Sequence, residues 1–374
     1  MFVTILTLIF IRPFISSLAF PYVNLIYSSL LVAALLIWIA MKGVKIGRIK
    51  LIKYALLFFI SALLISFLCS SNRISSIKEL YKYITAIMLI FFGASLANER
   101  KLKIISAIVA AGLAISLLAI YQYLFSFRHT LDYLSSKNIS DVFALDYISR
   151  GRVFSPFVTP NILAGYLIMI IPLTFINKKV TWSLVPISIA LILTRSLGAF
   201  VSLSVVFFVY LCLSGKLGRK QIVVLCGLAA LIALFFILRS LTPKEYLKPT
   251  FSAMMRLNYW KETWGIIKDH PFTGVGLGNF NLVYSRYAHN SYLQFWAETG
   301  ILGIIGLLWL VYAIFAYGFK KSFRDSGSER INLWLLLAGS AFLLDNLTNF
   351  SFFLPEVSLI WWVILGCMLT LDTV

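Results

Sequence analysis

All three histidines of the chain, His129, His270 and His289, fall in two long connections between apolar stretches, residues 125–159 and 239–291. The same connections carry Arg128, Arg150, Arg152, Arg239, Arg256 and Arg286, and Arg195 follows the apolar stretch 180–194. An imidazole titrates near neutral pH and can act as a general base. A guanidinium stays charged and offers a planar fork of donors that matches a phosphate. Together these residue types point to a general base beside a bound phosphate group. His289 is the sharpest of them, because it stands directly before a helical pattern that leads into an apolar stretch. Arg256 and Trp260, four residues apart, share one helical face. Each arginine taken singly could equally extend to lipid headgroups.

Other chemistry finds less support. Asp132, Asp141, Asp146, Glu245, Glu262, Asp269 and Glu298 make no DxD or paired-carboxylate motif, so an oxygen-ligand Mg²⁺ or Mn²⁺ site is not expected. The histidines show no zinc spacing, and no P-loop or kinase signature occurs. No metal and no cofactor are therefore expected. Glu298 lies nine residues beyond His289, and nine steps of about 100° put it on the opposite side of a straight helix. Its expected role is structural unless the helix breaks. Gly274, Gly276 and Gly278 could form an anion-binding nest of N–H groups, although a plain re-entry turn is the simpler reading.

The elements that must hold these residues are apolar. Of 374 residues 60% are hydrophobic and 13% charged, with a mean hydropathy of +0.92. Water-soluble domains carry about 45–50% apolar and about 25% charged residues, so a soluble globule is excluded. An all-α, polytopic membrane protein remains, with about twelve transmembrane helices at residues 2–20, 23–41, 51–69, 80–97, 103–124, 160–176, 180–194, 197–214, 221–238, 300–318, 331–350 and 357–371. Arg12 and Pro13 interrupt the first, which lacks the basic start and small-residue site of a removed signal peptide. Residues 1–374 read as a single integral membrane domain. The net charge of +19 would point to nucleic acid in a soluble chain, but here the basic residues sit in short loops. Segments 42–50, 98–103, 178–179, 216–220 and 320–330 hold 16 Lys and Arg, which places them and both termini in the cytoplasm. Loops 125–159 and 239–291 then face outward, the second lying between spans nine and ten as the catalytic loop. Its first part, residues 251–268, has helical spacing and suits a helix lying on the membrane surface, with aromatics at headgroup level. Cys69, Cys212, Cys226 and Cys367 form no disulfide framework.

Three stretches resemble the O-antigen ligase and polymerase family. They are R-x-x-Y-W at Arg256, Tyr259 and Trp260; H-P-x-x-G-x-G-x-G-x-F from His270 to Phe280; and H-N-S-Y-L-Q-x-x-x-E-x-G-x-x-G from His289 to Gly303. Residues 154–166, F-S-P-F-V-T-P-N-x-L-A-G-Y, and 193–199, L-T-R-S-L-G-A, are similar to two further family segments. The resemblance implies a metal-independent, inverting GT-C-type glycosyltransferase in the bacterial cytoplasmic (inner) membrane, with its site on the periplasmic side. Its partners would be a polyprenyl-pyrophosphate-linked glycan donor, a lipid A–core or glycan acceptor, and membrane lipids. Arg256 matches the arginine that holds the pyrophosphate and His289 the base. Arg195, Arg152, Arg150, Asn161, Tyr259 and Trp260 are the expected substrate contacts. The family reads T-x-S-R where this chain reads Thr194-Arg195-Ser196-Leu197, so Arg195 is displaced by two positions, about 200° on a helix.

Ligation of O-antigen to lipid A–core is the leading expectation and polymerisation of lipid-linked repeats the alternative. A solute transporter, with Asp345, Asn346 and Arg12 as midplane polar groups, is the reading of another class. A non-catalytic assembly factor is a third, and would leave the Arg–His group without a task.

Overall fold

The computed structural model describes residues 1–42, 50–136, 147–148, 150–214, 218–241, 248–324 and 331–370. These residues form α-helices joined by short 3-10 and π turns, with no strand among them. The helices are α1 Phe2–Ile11, α2 Pro21–Lys42, α3 Lys50–Leu68, α4 Arg73–Ala94, α5 Asn98–Tyr121, α6 Phe127–Ser136, α7 Pro160–Leu173, α8 Leu184–Thr194, α9 Leu197–Ser214, α10 Arg219–Ser240, α11 Pro249–Asp269, α12 Ser291–Arg324, α13 Ile331–Asp345 and α14 Pro355–Met368. A helix occupies each of the twelve expected apolar segments. Among the described residues five are long and apolar enough to cross a membrane (Pro21–Lys42, Leu51–Leu68, Asn98–Asp132, Gln221–Leu238 and Ser291–Ser322), and five further apolar helices are shorter.

The packing separates a central set of helices from a peripheral one. Every residue of α14 except Pro355 is buried, as is every residue of α7 except Asn161, and Trp361 and Trp362 lead the fully enclosed side chains. Around them α3 packs on α12, α4 on α14, α7 on α13 and α5 on α8. Gly93 and Gly366 let α4 and α14 touch backbone to backbone, since a Cβ on Gly93 would lie 2.7 Å from the Gly366 carbonyl carbon. The outer helices expose large apolar side chains, among them Val223, Ile237 and Leu238 on α10 and Leu25, Ile26 and Leu30 on α2. Such surfaces are stable in hydrocarbon, where a helix apolar all round meets its preferred solvent.

Several boundaries differ from the expected ones, each for a local reason. The first segment reaches only Ile11 before a 3-10 turn at Arg12–Phe14, because Pro13 cannot continue the helix. Arg12 is buried there, paired with Glu356 at 3.4 Å and donating to the Asn24 carboxamide at 2.8 Å. Helix α4 starts seven residues early, since Asn72 caps it by accepting from the Ser75 N–H. The expected loop at residues 125–159 begins inside a helix, which continues from α5 through a π turn at Gln122–Ser126 into α6. Residues 137–146 and 149 of that loop lie outside the described residues. Helix α13 ends at Asp345 rather than at residue 350, because the carboxamides of Asn346 and Asn349 bond to the Phe352 and Phe350 N–H groups and draw the chain out of the helix.

Candidate active site

Helix α12 starts at Ser291, nine residues ahead of the expected span, because Asn290 accepts from the N–H groups of Tyr292 and Leu293. It then breaks at Gly300, where φ is 66° and ψ −172°. The break frees the carbonyls of Ala297 and Glu298, which accept the N–H groups of Val275 and Gly276 at 2.9 and 3.0 Å. The Ile301 N–H turns to the Pro271 carbonyl at 2.8 Å. Approach is so close that a Cβ on Gly300 would lie 2.1 Å from the Phe272 carbonyl oxygen, and one on Gly274 would lie 2.4 Å from that of Glu298. Both glycines take left-handed φ, which glycine alone reaches without steric cost. The Gly-rich run is thus a re-entry turn whose N–H groups are spent within the fold. Gly278 donates to the Glu298 carboxylate at 2.9 Å.

Glu298 does not reach for His289. Buried at 2% exposure, it accepts from Gly278 and from the Gln294 carboxamide, and Gln294 in turn accepts the Ala288 N–H. This chain of bonds fixes the backbone immediately before His289. His289 itself takes a left-handed φ of 52°, and Arg195 one of 51°; they are the two non-glycine residues with positive φ among the described residues. Such a conformation costs about 1 kcal/mol or more, and residues held in it cluster where function requires a particular side-chain direction.

The imidazole of His289 is held by rings. Tyr259 stacks on it at 5.7 Å between centroids, and Phe350 meets it edge-on at 5.0 Å and also stacks on Tyr287 at 4.1 Å. Among the described residues no hydrogen bond engages His289. Burial, and after it the charge of Arg256, push its pKa down to about 4, so the ring is a neutral acceptor at physiological pH. Burial likewise carries Tyr287 up to about 12.

Helix α11 brings Arg256 and Tyr259 to this place, three residues apart on one face, and packs on α12 through Thr263 and Ile267. Pro249 opens the helix and His270 closes it. Burial holds the Arg256 guanidinium below its ordinary pKa and the Asp345 carboxylate offsets part of that shift. Among the described residues Arg256 makes no hydrogen bond and no ion pair. Trp260 is half-buried beside it on α11, and its indole N–H has no acceptor among the described residues.

A third wall comes from the unwound end of α13, which the sequence analysis did not assign to the site. Asp345 accepts from the Asn349 carboxamide at 2.9 Å, and the same carboxamide donates to the Asn161 carbonyl at 3.1 Å. The Asn161 side-chain oxygen accepts from Arg152 at 3.0 Å and from the Ser196 hydroxyl at 3.1 Å, while the Arg152 Nε donates to the Thr194 carbonyl at 2.8 Å. Arg152 and Asn161 therefore tie the turn at Arg195 to the end of α13. Arg195 follows the last residue of α8 and is not helical, so counting helical turns does not fix its direction; its side chain is exposed. Arg150 lies in the turn just before Arg152. His129 lies on α6 and His270 at the end of α11, and neither takes part in the ring contacts around His289. The carboxamide and hydroxyl run Asn346, Thr348, Asn349, Ser351, dense in residues that bond to backbone, was the available sign that α13 would end early.

The described residues are all-α, with apolar helices compatible with a polytopic membrane protein and an arginine–histidine group beside a broken helix. Residues 182–308, about a third of the chain, match the model of the O-antigen ligase family. That stretch runs from the start of α8 into α12 and contains Arg195, Arg256 and His289. Over that stretch the chain is similar to the O-antigen ligase family, a likeness that supports glycosyl transfer of the O-antigen ligase or polymerase type in general. No curated protein matches the chain.

Proposed function

We propose that the protein transfers a glycan from a polyprenyl-pyrophosphate donor to an acceptor sugar hydroxyl, at the outer face of the cytoplasmic membrane, and most directly as a ligase acting on lipid A–core. The reading rests on one observation: Arg256 is a largely enclosed guanidinium with no bonded partner among the described residues, and it stands beside an unbonded, neutral imidazole. An enclosed cation without a partner is costly, and an anionic ligand relieves that cost. A diester of pyrophosphate fits the fork of donors, while its prenyl chain stays in the lipid beside the exposed outer helices.

In the proposed step His289 accepts the proton of the acceptor hydroxyl, and the freed oxygen lone pair forms the new bond to the anomeric carbon. The bond from that carbon to the pyrophosphate oxygen breaks, its electron pair leaving with the prenyl pyrophosphate. Negative charge grows on the leaving group, where fixed arginine donors stabilise it. Among the described residues no group of three or more His, Cys, Asp or Glu is placed to hold a metal ion. The charge stabilisation is assigned to Arg256, with Arg195 as a second donor. Asp345 offsets part of the cost of enclosing Arg256, and its carboxylate accepts from Asn349.

A product assay in liposomes tests this reading. Purified protein receives donor with lipid A–core, and separately donor alone. A single shift of lipid A–core to a glycan-bearing species supports ligation, and a ladder of lengthened glycan from donor alone supports polymerisation. Donor left unconsumed in both, with donor binding absent, overturns the reading.

A further inference from the structure

We propose that His289 becomes a base only once pyrophosphate occupies Arg256, so that the donor itself arms the site and binding is ordered, donor before acceptor. The inference rests on the reading of Arg256 and His289 just given and deepens it. Its ground is geometric. Tyr259 stacks on the His289 ring, and Arg256 lies three residues before Tyr259 on the same face of α11, so one rigid element sets both the imidazole and the guanidinium. The edge of Phe350 closes the other side of the ring.

Among the described residues no fixed group raises the proton affinity of the imidazole. On the elements that meet here the charged and titratable groups are Arg256 and, one turn beyond Tyr259, Glu262 on α11; Arg286 and Tyr287 in the preceding loop; Tyr292 and Glu298 on α12; and Asp345 at the end of α13. The Glu298 carboxylate is spent on Gly278 and Gln294, and Asp345 on Asn349. Glu262 acts on Tyr259. The Tyr292 hydroxyl donates to the Leu343 carbonyl. Burial is the larger effect on the imidazole; of the charged groups among the described residues, Arg256 is the one that acts on it, and it too opposes protonation. Arg256 therefore lowers the proton affinity of His289 wherever no anion offsets its charge.

A pyrophosphate diester brings two negative charges to Arg256 and turns the local sign from positive to negative. The imidazole then gains proton affinity at the moment when a glycosyl group is in place to use it. The charges balance through the step. A neutral imidazole, a neutral hydroxyl and a doubly charged donor become an imidazolium, a neutral glycoside and a triply charged prenyl pyrophosphate, with the imidazolium next to the added charge. By linkage, donor affinity must itself rise as pH falls through the window between the two imidazole midpoints, tenfold for each unit that separates them.

The test follows His289 directly. The His129→Asn/His270→Asn chain retains one histidine, which is ¹³C-labelled and titrated by NMR in lipid nanodiscs, with and without farnesyl-pyrophosphate-linked N-acetylglucosamine as a fully ionised diester probe. Binding of the probe is measured separately. The midpoint should lie near pH 4 without probe and rise by about one unit or more with it. Arg256→Gln should raise the probe-free midpoint and remove the response. Arg256→Lys, which keeps the charge, should leave the probe-free midpoint low and serves if the glutamine variant does not fold. A midpoint that stays fixed while the probe demonstrably binds overturns the gating and leaves the donor site standing. Absence of probe binding to the unsubstituted site overturns both.

Discussion

At the residue scale, the chemistry depends on side chains kept free of bonds. Arg256 and His289 engage no hydrogen-bond partner among the described residues, whereas Arg152, Asn161, Gln294 and Glu298 have theirs filled. The first pair is available to substrate, and the others hold the backbone that carries the pair. Replacing Arg256 by Lys keeps the charge but loses the planar fork, so donor affinity should fall about tenfold or more, read in a direct binding assay. Unchanged affinity would assign Arg256 to lipid headgroups instead. Chelation of divalent metal should leave transfer intact, and a strict metal requirement would sink the metal-free step. The sequence displayed Arg256, Tyr259 and His289 through spacing and family resemblance. It offered Asp345 only as a midplane group of a transporter and did not single out Asn349, because a carboxylate at the end of an apolar run looks like one more buried helical residue until the chain is seen to unwind after it.

The break in α12 governs the element scale. Gly300 lets the chain turn so that two helix carbonyls are exchanged for bonds to the Gly-rich turn, and that turn fixes the backbone leading to His289. Gly300→Ala forces a side chain into the Phe272 carbonyl and a left-handed φ, and should cost about 2–4 kcal/mol in stability. Glu298→Ala removes the acceptor of the Gly278 N–H and should cost about 1–3 kcal/mol, seen as a lower melting temperature. Because Glu298 does not touch His289, residual activity of that variant should keep its pH profile; a displaced acid limb would make Glu298 a partner of the base. Helix identities were legible from hydropathy, and helix α11 from its spacing. The starts of α4 and α12 were not, since each opens with a capped polar turn that an apolar count passes over.

Across the whole molecule, the site depends on distant anchors in the bundle. The enclosed Arg12–Glu356 pair ties the turn between α1 and α2 to α14, and Ser17 donates its N–H to the same carboxylate. Removing one partner strands a buried charge, so Arg12→Met or Glu356→Gln alone should cost about 3–5 kcal/mol, whereas Arg12→Met with Glu356→Leu should recover much of it. A thermal-unfolding cycle in detergent reads this, and a double variant as unstable as the singles would deny the pairing. Arg12 therefore serves as a structural strut, which removes one of the groups that favoured a transporter. The central claim is that His289 is the base of a pyrophosphate-driven glycosyl transfer. The most direct measurement is single-turnover transfer in liposomes by the unsubstituted protein and by His289→Ala, with donor binding measured on both. The account predicts equal donor binding and loss of transfer in the variant, and normal turnover by His289→Ala would contradict it.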